Sequence, residues 1–406
     1  MKKRYVALDV LRGLTVAFMC IVNNPGTWGK IYPPLRHASW NGCTPTDLVY
    51  PFFVFCMGVA MVFSLSKYER LTREAFWKIL KRGGAIFLVG LLLNLYPFYP
   101  TSVHDESWSF WQNYGWWLGH KRIMGVLQRI ACSYVAAGLI VLGVKKSAKK
   151  VLLALVTLLV AYTGIQLAFG TEPGPFTLEG SVIRKIDTAL IGENHVYKSY
   201  RFSQEYVEAQ EFADASHVLG HGERISRSAA FDPEGLMGTM TGACTALLGF
   251  LMGILIRGSR KRHEAQGGLD DSPVGLVAKL FAWGALLVGA GLLLGIWVPV
   301  NKPLWSASYV LYAGGWATLA LALLSYCCDY KGWEKWFKPA QIMGMNALAA
   351  FVLSGLISKT FSWIGWSPTR YFTANEFTSF IYAILFMLVV FGVMWVLYRK
   401  KIFIKL

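Results

Sequence analysis

The sequence is short of charge. Of its 406 residues only 16% are Asp, Glu, Lys or Arg, against roughly a quarter in an ordinary soluble domain. Carboxylates are the scarcer sign: 23 Asp and Glu stand against 40 Lys and Arg, a formal net charge of +17. The chain also lacks a C-x2-C pair for a zinc finger, a basic–aromatic RNA-binding motif, a glycine loop that would cradle a phosphate and a serine nucleophile elbow. No tandem repeat or low-complexity tract is present. Six of the seven cysteines lie in or at the edge of apolar runs, and Cys43, in a loop, has no evident disulfide partner. No small-residue cleavage site follows Lys2-Lys3-Arg4 and its apolar run, which ends in Asn23-Asn24-Pro25, so the run reads as a retained helix rather than a signal peptide. These absences exclude a soluble enzyme, a disulfide-rich secreted domain, a disordered chain and a nucleic-acid binder.

What is abundant is apolar surface. Hydrophobic residues make up 55% of the chain and aromatics 15%, with a mean hydropathy of +0.42. Ten segments have spanning length: 7–24, 45–66, 83–100, 122–144, 151–170, 236–256, 275–299, 306–328, 340–358 and 378–398. Alternate connections hold 24 of the 40 basic residues, which sets them in the cytoplasm by the positive-inside rule. The opposite side includes the stretch 171–235, with eleven acidic and six basic residues. The sequence therefore predicts an all-α integral membrane protein of one domain, residues 1–406. It has about ten transmembrane helices in one bundle, both termini cytoplasmic and one long external loop, 171–235, acting as a lid. Its immediate partner is the lipid bilayer.

Ionisable groups inside spans are costly and mark candidate sites. Asp9, Arg12, Val16, Met19 and Asn23 recur at helical spacing on one face of the first span. They are read either as an ion pair plus a C-terminal cap or as a polar track roughly 21 Å long. His37, beside Trp40, Asn41 and Asp47, is a candidate proton acceptor. Thr44 or Thr46 can cap the next helix with Asp47 in its first turn. His120-Lys121-Arg122 is expected to open the fourth helix, with Gln128 and Arg129 two turns in. Lys121, Arg122 and Arg129 could together hold phosphates, or Arg129 could pair with Asp47 or Glu234. Asp232-Pro233-Glu234-Gly235 reads as a helix start. Asn301 and Ser306 join two spans, and Asn346 is a buried amide in need of partners. His217 and His221, four apart with Asp214 and Glu211 nearby, form a weak metal pattern that Gly220 and Gly222 argue against, so no metal is expected.

Taken in order, the motifs Leu8-Asp9-Val10-Leu11-Arg12-Gly13, Val22-Asn23-Asn24, His37-Ala38-Ser39-Trp40-Asn41-Gly42 and Thr46-Asp47-Leu48-Val49-Tyr50-Pro51-Phe52 form a series. It continues through Arg122 to Ile130, Asp232-Pro233-Glu234-Gly235, Asn301 to Ser306 and Gly344-Met345-Asn346-Ala347. This series resembles the heparan-α-glucosaminide N-acetyltransferase family of transmembrane acyltransferases over residues 5 to about 350. The resemblance implies acetyl transfer from cytosolic acetyl-CoA to the amine of a glucosamine-type sugar on the far side of the membrane. It makes His37 the active-site histidine, either as general base or as acetyl carrier, with Asn23 and Asp47 beside it. By the same resemblance Arg122, Gln128 and Arg129 belong to the acetyl-CoA and active-site region, and the protein is a homodimer. Arg12, Lys121, Asn301, Ser306 and Asn346 join them as candidate cofactor-binding residues. The chain begins four residues before its first span, as expected of a bacterial-type member in the inner membrane without a large luminal domain. A multi-span transporter of small sugars is the alternative that composition alone leaves open.

Overall fold

A computed structural model of the chain describes residues 5–100, 104–214, 228–266 and 272–404. Lys2, Lys3, Arg4 and the pair His217 and His221 lie outside the described residues. The fold is almost wholly helical. In chain order the helices are α1 (Val6–Val22), α2 (Pro45–Ser64), α3 (Arg73–Leu95), α4 (Phe110–Gly119), α5 (Val126–Gly143), α6 (Ala148–Phe169) and α7 (Val182–Ile191). They continue as α8 (Gln204–Asp214), α9 (Thr239–Gln266), α10 (Pro273–Leu294), α11 (Ala307–Leu324), α12 (Lys338–Met345), α13 (Ala347–Trp363) and α14 (Glu376–Arg399).

Each of the ten apolar segments overlaps a helix. Among the described residues, seven helices are long and apolar enough to cross a membrane: α2, α5, α6, α9, α10, α11 with the turn that extends it, and α14. The pair α12 and α13 meets the same test jointly but bends by 81° at its break. Asn346 sits at that bend. With 17 residues α1 is shorter than the seven, and α3 is interrupted by charge in its first half. Helices α6, α10 and α14 leave most of their surface outside the bundle, as expected of faces turned to lipid.

Local rules explain how the elements start and how closely they pack. Thr44 and Asp47 form a reciprocal capping box at the head of α2, which satisfies two backbone donors at once. Helices α2 and α9 approach each other through glycine. A Cβ on Gly58 would fall 1.9 Å from the Ala246 carbonyl oxygen, and one on Gly249 2.1 Å from that of Phe55. Without a hydrophobic drive between helices in lipid, such small-residue contacts let dispersion and packing hold the bundle. Around them Phe55, Val59, Leu247 and Phe250 are buried.

Three sequence expectations are corrected. The third apolar segment begins ten residues early, because a threonine cap at Thr72 starts α3 at Arg73. His120 to Gly125 do not open the fourth span: they form a connection after α4, and α5 starts at Val126. Ile123 N–H is drawn to the His195 carbonyl at 3.0 Å, and Arg122 is drawn to two carboxylates, so the chain stays extended until Gly125. Arg129 is consequently in the first turn of α5. Asp232-Pro233-Glu234-Gly235 is a turn, closed by Gly235 N–H to the Asp232 carbonyl at 2.9 Å, and α9 begins four residues later at Thr239.

Between α6 and α9 the chain forms α7, α8 and a two-stranded antiparallel pair, β1 (Tyr200–Arg201) with β2 (Ser228–Ala229), in the register Tyr200 to Ala229. Phe231 and Tyr200 pack edge-on against Trp40. The Trp40 indole donates to the Phe176 carbonyl at 2.8 Å. This segment therefore sits directly on the loop that carries His37.

Candidate active site

His37 lies on the connection between α1 and α2, and Asp47 in the first turn of α2 organises that connection. One Asp47 oxygen accepts the backbone N–H groups of Ala38 and Thr44, both at 3.0 Å. The other lies 2.7 Å from His37 Nδ1. An ionised carboxylate can only accept, so Nδ1 carries the proton and Nε2 keeps a lone pair. Asp47 is 1% exposed, and a buried carboxylate with four donors is well satisfied. Lys302 completes the group, its Nζ 3.3 Å from the same Asp47 oxygen and 3.0 Å from His37 Nδ1. The ammonium donates to Asp47 and abuts the imidazole.

Lys302 is presented by a loop that Asn301 ties down. Asn301 Nδ2 donates to the Trp40 carbonyl at 3.0 Å and to Asn41 Oδ1 at 3.1 Å, while its Oδ1 accepts Leu304 N–H at 2.7 Å. Gly42 N–H reaches the Val300 carbonyl at 2.8 Å. Gly42 has φ +101°, a conformation other residues adopt only with strain. Ser306 donates to the Pro299 carbonyl at 2.7 Å and caps α11. Asn301 and Ser306 thus shape the loop that brings Lys302 to His37.

His37 and Lys302 line a cavity of about 130 Å³, together with Thr15, Asn23, Tyr50 and Glu234. Asn23 is the C-cap of α1. The sequence-predicted trio of His37, Asn23 and Asp47 is therefore brought together, two on the cavity wall and Asp47 directly behind. Apolar Met19, Phe53, Leu127 and Ile130 form the inner end. A second cavity, of about 470 Å³, lies toward the other end of α1 and is lined by Arg12, Arg82, Met57, Ile86 and Leu348. Phe53 and Ile130 belong to both walls.

The remaining predicted residues divide. Arg12 lines the second cavity, its guanidinium 3.8 Å from Asp9. Asn346 is near that cavity, since Met345 and Ala347 line it. Its amide clamps the C-terminal segment, donating to the Ile402 carbonyl at 3.0 Å and accepting from Ile404 N–H at 2.9 Å. Lys121, Arg122, Gln128 and Arg129 lie at the His37 end. Lys121 sits over the Trp117 ring at 4.3 Å, and burial pulls its ammonium below its ordinary range. Gln128 donates to the Ile123 carbonyl at 2.9 Å. Arg129, 1% exposed, donates to the carbonyls of Pro233 and Gly238 and lies over the Trp305 ring at 4.4 Å. It pairs with neither Asp47 nor Glu234.

Arg122 takes Glu234 instead. Its Nε donates to Asp232 at 2.8 Å, and its Nη2 bonds both Asp232 and Glu234. Burial opposes the charge on Arg122, but the two carboxylates outweigh it and hold the guanidinium firmly protonated. Sequence reasoning assigned Lys302 no role and read Glu234 as part of a helix start or as a partner of Arg129, not of Arg122. Their signal was present, a lysine and a glutamate inside ordered motifs, but the partners are 265 and 112 residues away.

Comparison with known proteins adds an independent line. Residues 4–177 match the family profile described as heparan-alpha-glucosaminide N-acetyltransferase, catalytic. The chain is 26% identical over 456 residues to heparan-alpha-glucosaminide N-acetyltransferase of Homo sapiens and 26% over 454 residues to that of Mus musculus, with 99% of the chain covered in each case. It spans 60% of the length of these relatives. The matched profile contains Asn23, His37, Asp47, Gln128 and Arg129, while Glu234 and Lys302 fall beyond it and within the longer similarity. The residues around the cavity and the similarity along the chain agree: over residues 4–177 the chain resembles the heparan-α-glucosaminide N-acetyltransferase family, and a weaker similarity to its mammalian members runs along 99% of the chain.

Proposed function

We propose that the chain is a membrane acetyltransferase that moves an acetyl group from acetyl-CoA to the amine of a glucosamine-type sugar. The observation that carries this reading is the His37–Asp47 pair on a cavity that Asn23 also lines. The donor set suits the co-substrate. Arg12 and Arg82 give the larger cavity two guanidinium groups for phosphates, and the apolar wall between the cavities suits an uncharged arm. From Arg12 to Asn23 is eleven residues of one helix, roughly 16 Å.

When bound, acetyl-CoA supplies an activated thioester carbonyl. The chain's residues do the rest. Asp47 fixes the His37 tautomer, leaving Nε2 to take a proton from the acceptor ammonium and make the nitrogen nucleophilic. The imidazolium then returns that proton to the departing sulfur, while the nitrogen's second proton leaves with solvent. The Asn23 carboxamide, on the same wall, is a donor for the oxyanion. The start of the segment 171–235 rests on Trp40 through the Phe176 carbonyl, a contact that supports a lid over this end.

In the membrane, ten spans are supported by a helix on every apolar segment, with the bent pair α12 and α13 counted as one. The basic connections and both termini then face the cytoplasm together with Arg12 and Arg82, and His37 faces the opposite side. The test is acetyl transfer from radiolabelled acetyl-CoA to glucosamine by the purified protein in detergent. His37→Ala is expected to abolish transfer and leave CoA binding intact. A His37→Ala protein with wild-type activity would overturn the assignment.

A further inference from the structure

Glu234 is the acidic member of the cavity wall whose charge its neighbours do not fully match. Arg122 is held by Asp232 through two nitrogens before Glu234 is counted. Asp232 is further satisfied by the backbone N–H groups of Glu234 at 2.9 Å and Tyr197 at 3.3 Å. Arg122 therefore has a complete carboxylate partner without Glu234, which takes one additional bond through Oε2. Oε1 makes no hydrogen bond among the described residues. A role confined to holding Arg122 leaves this second oxygen, on a cavity wall, unexplained.

The charges point the same way. The cavity's ionised side chains and their direct partners are Lys302 with Asp47, and Arg122 with Asp232 and Glu234. Two cations face three carboxylates, so with His37 neutral the assembly carries one excess negative charge. One layer behind, Arg129 and Asp187 offset one another. A partly desolvated site with surplus negative charge attracts a cation and rejects a neutral isostere, because its acceptor would be left unpaired.

We infer that Glu234 is the residue that recognises the acceptor as an ammonium, selecting amines over alcohols of the same shape before His37 takes the proton. The inference rests on the acetyl-transfer reading for its choice of a sugar amine. It adds a specificity determinant that the His37 group does not supply, since Lys302 neutralises Asp47 there. One proton passes from the ammonium to His37 Nε2, and Glu234 keeps its contact with the remaining N–H.

The test uses the full chain in detergent, with D-glucosamine and D-glucose as probes at a pH where the amine is protonated, and calorimetry as readout. Wild type is expected to bind glucosamine about tenfold or more tightly than glucose, and Glu234→Gln to bring the ratio near one. A wild-type ratio near one overturns the inference, whether or not the variant folds. So does a Glu234→Gln protein that keeps the wild-type preference. In kinetics the variant is expected to raise KM for glucosamine by a similar factor with CoA affinity unchanged, and an equal loss of CoA affinity counts against it. Acetyl transfer is scored separately. A protein that prefers glucosamine through Glu234 but transfers nothing supports this inference and removes the enzyme reading. Transfer with no dependence on Glu234 does the reverse.

Discussion

At the scale of single residues, Lys302 changes how the His37 group is understood. A histidine with a carboxylate behind it is a common arrangement, but here the carboxylate is shared with an ammonium. Lys302→Met leaves the buried Asp47 with His37 as its one side-chain ion partner and removes the ammonium that abuts the imidazole. The expected outcome is a loss of about tenfold in kcat with CoA affinity unchanged. An unchanged kcat would make Lys302 a packing residue. Asp47→Asn is the stronger lesion, because the amide can present its N–H to Nδ1 and reverse the tautomer. It is expected to cost about a hundredfold or more in kcat. The proximity of His37 and Asp47 could be read from residues ten apart in the sequence. The Lys302 partnership could not, since nothing local marks which lysine on a loop reaches a carboxylate at the far end of the chain.

At the scale of elements, the turn 232–237 shows what a motif conceals. Asp-Pro-Glu has the composition of a helix start, yet the turn is held as a turn by α7. Asp187, in the middle of that short helix, accepts Met237 N–H at 2.9 Å. Gly235 packs so closely on it that a Cβ there would fall 1.9 Å from Asp187 Oδ2. Burial pushes the Asp187 carboxyl up to about 6, against the smaller opposing pull of Met237 N–H and Arg129. The sign of the consequence is fixed. Between the ordinary carboxylate range and about pH 6 the unfolded chain has lost this proton and the folded chain keeps it. Stability is therefore fully present at low pH and falls as the pH rises through about 6, by about 3 kcal/mol from this group. Asp187→Asn is expected to flatten that slope and raise the thermal midpoint above pH 6. A midpoint that tracks wild type across pH 5 to 7.5 would show that Asp187 is not the titrating group. Helix α4 teaches the complementary lesson. Its ten residues are too few and too aromatic to stand out as a span, but Ser109 and Gln112 form a capping box at its head, and that spacing was visible in the sequence.

At the scale of the molecule, the apolar runs announced the bundle because lipid makes the hydrophobic period and the helix length coincide. What they could not announce is the internal division into two cavities, which depends on side chains from different helices meeting in the middle. Phe53 of α2 and Ile130 of α5 contribute to both walls, so they stand between the guanidinium groups at one end of α1 and His37 at the other. If the co-substrate's head is held by Arg12 and Arg82, its arm must pass this pair to reach the acceptor. Phe53→Trp enlarges the side chain at that point. Overpacking of this kind costs about 1–3 kcal/mol, which a bundle of this size is expected to survive and which size-exclusion chromatography will check. The variant should bind adenosine 3′,5′-bisphosphate, the head without the arm, as wild type does. Full CoA should bind more weakly, and acetyl transfer should fall about tenfold or more. Phe53→Leu, which relieves the pair, should retain transfer. Equal loss of head and full-length binding would mean that Phe53 shapes the cavity lined by Arg12 and Arg82 alone. Undiminished transfer by Phe53→Trp would mean that the path between the two ends runs elsewhere in the bundle.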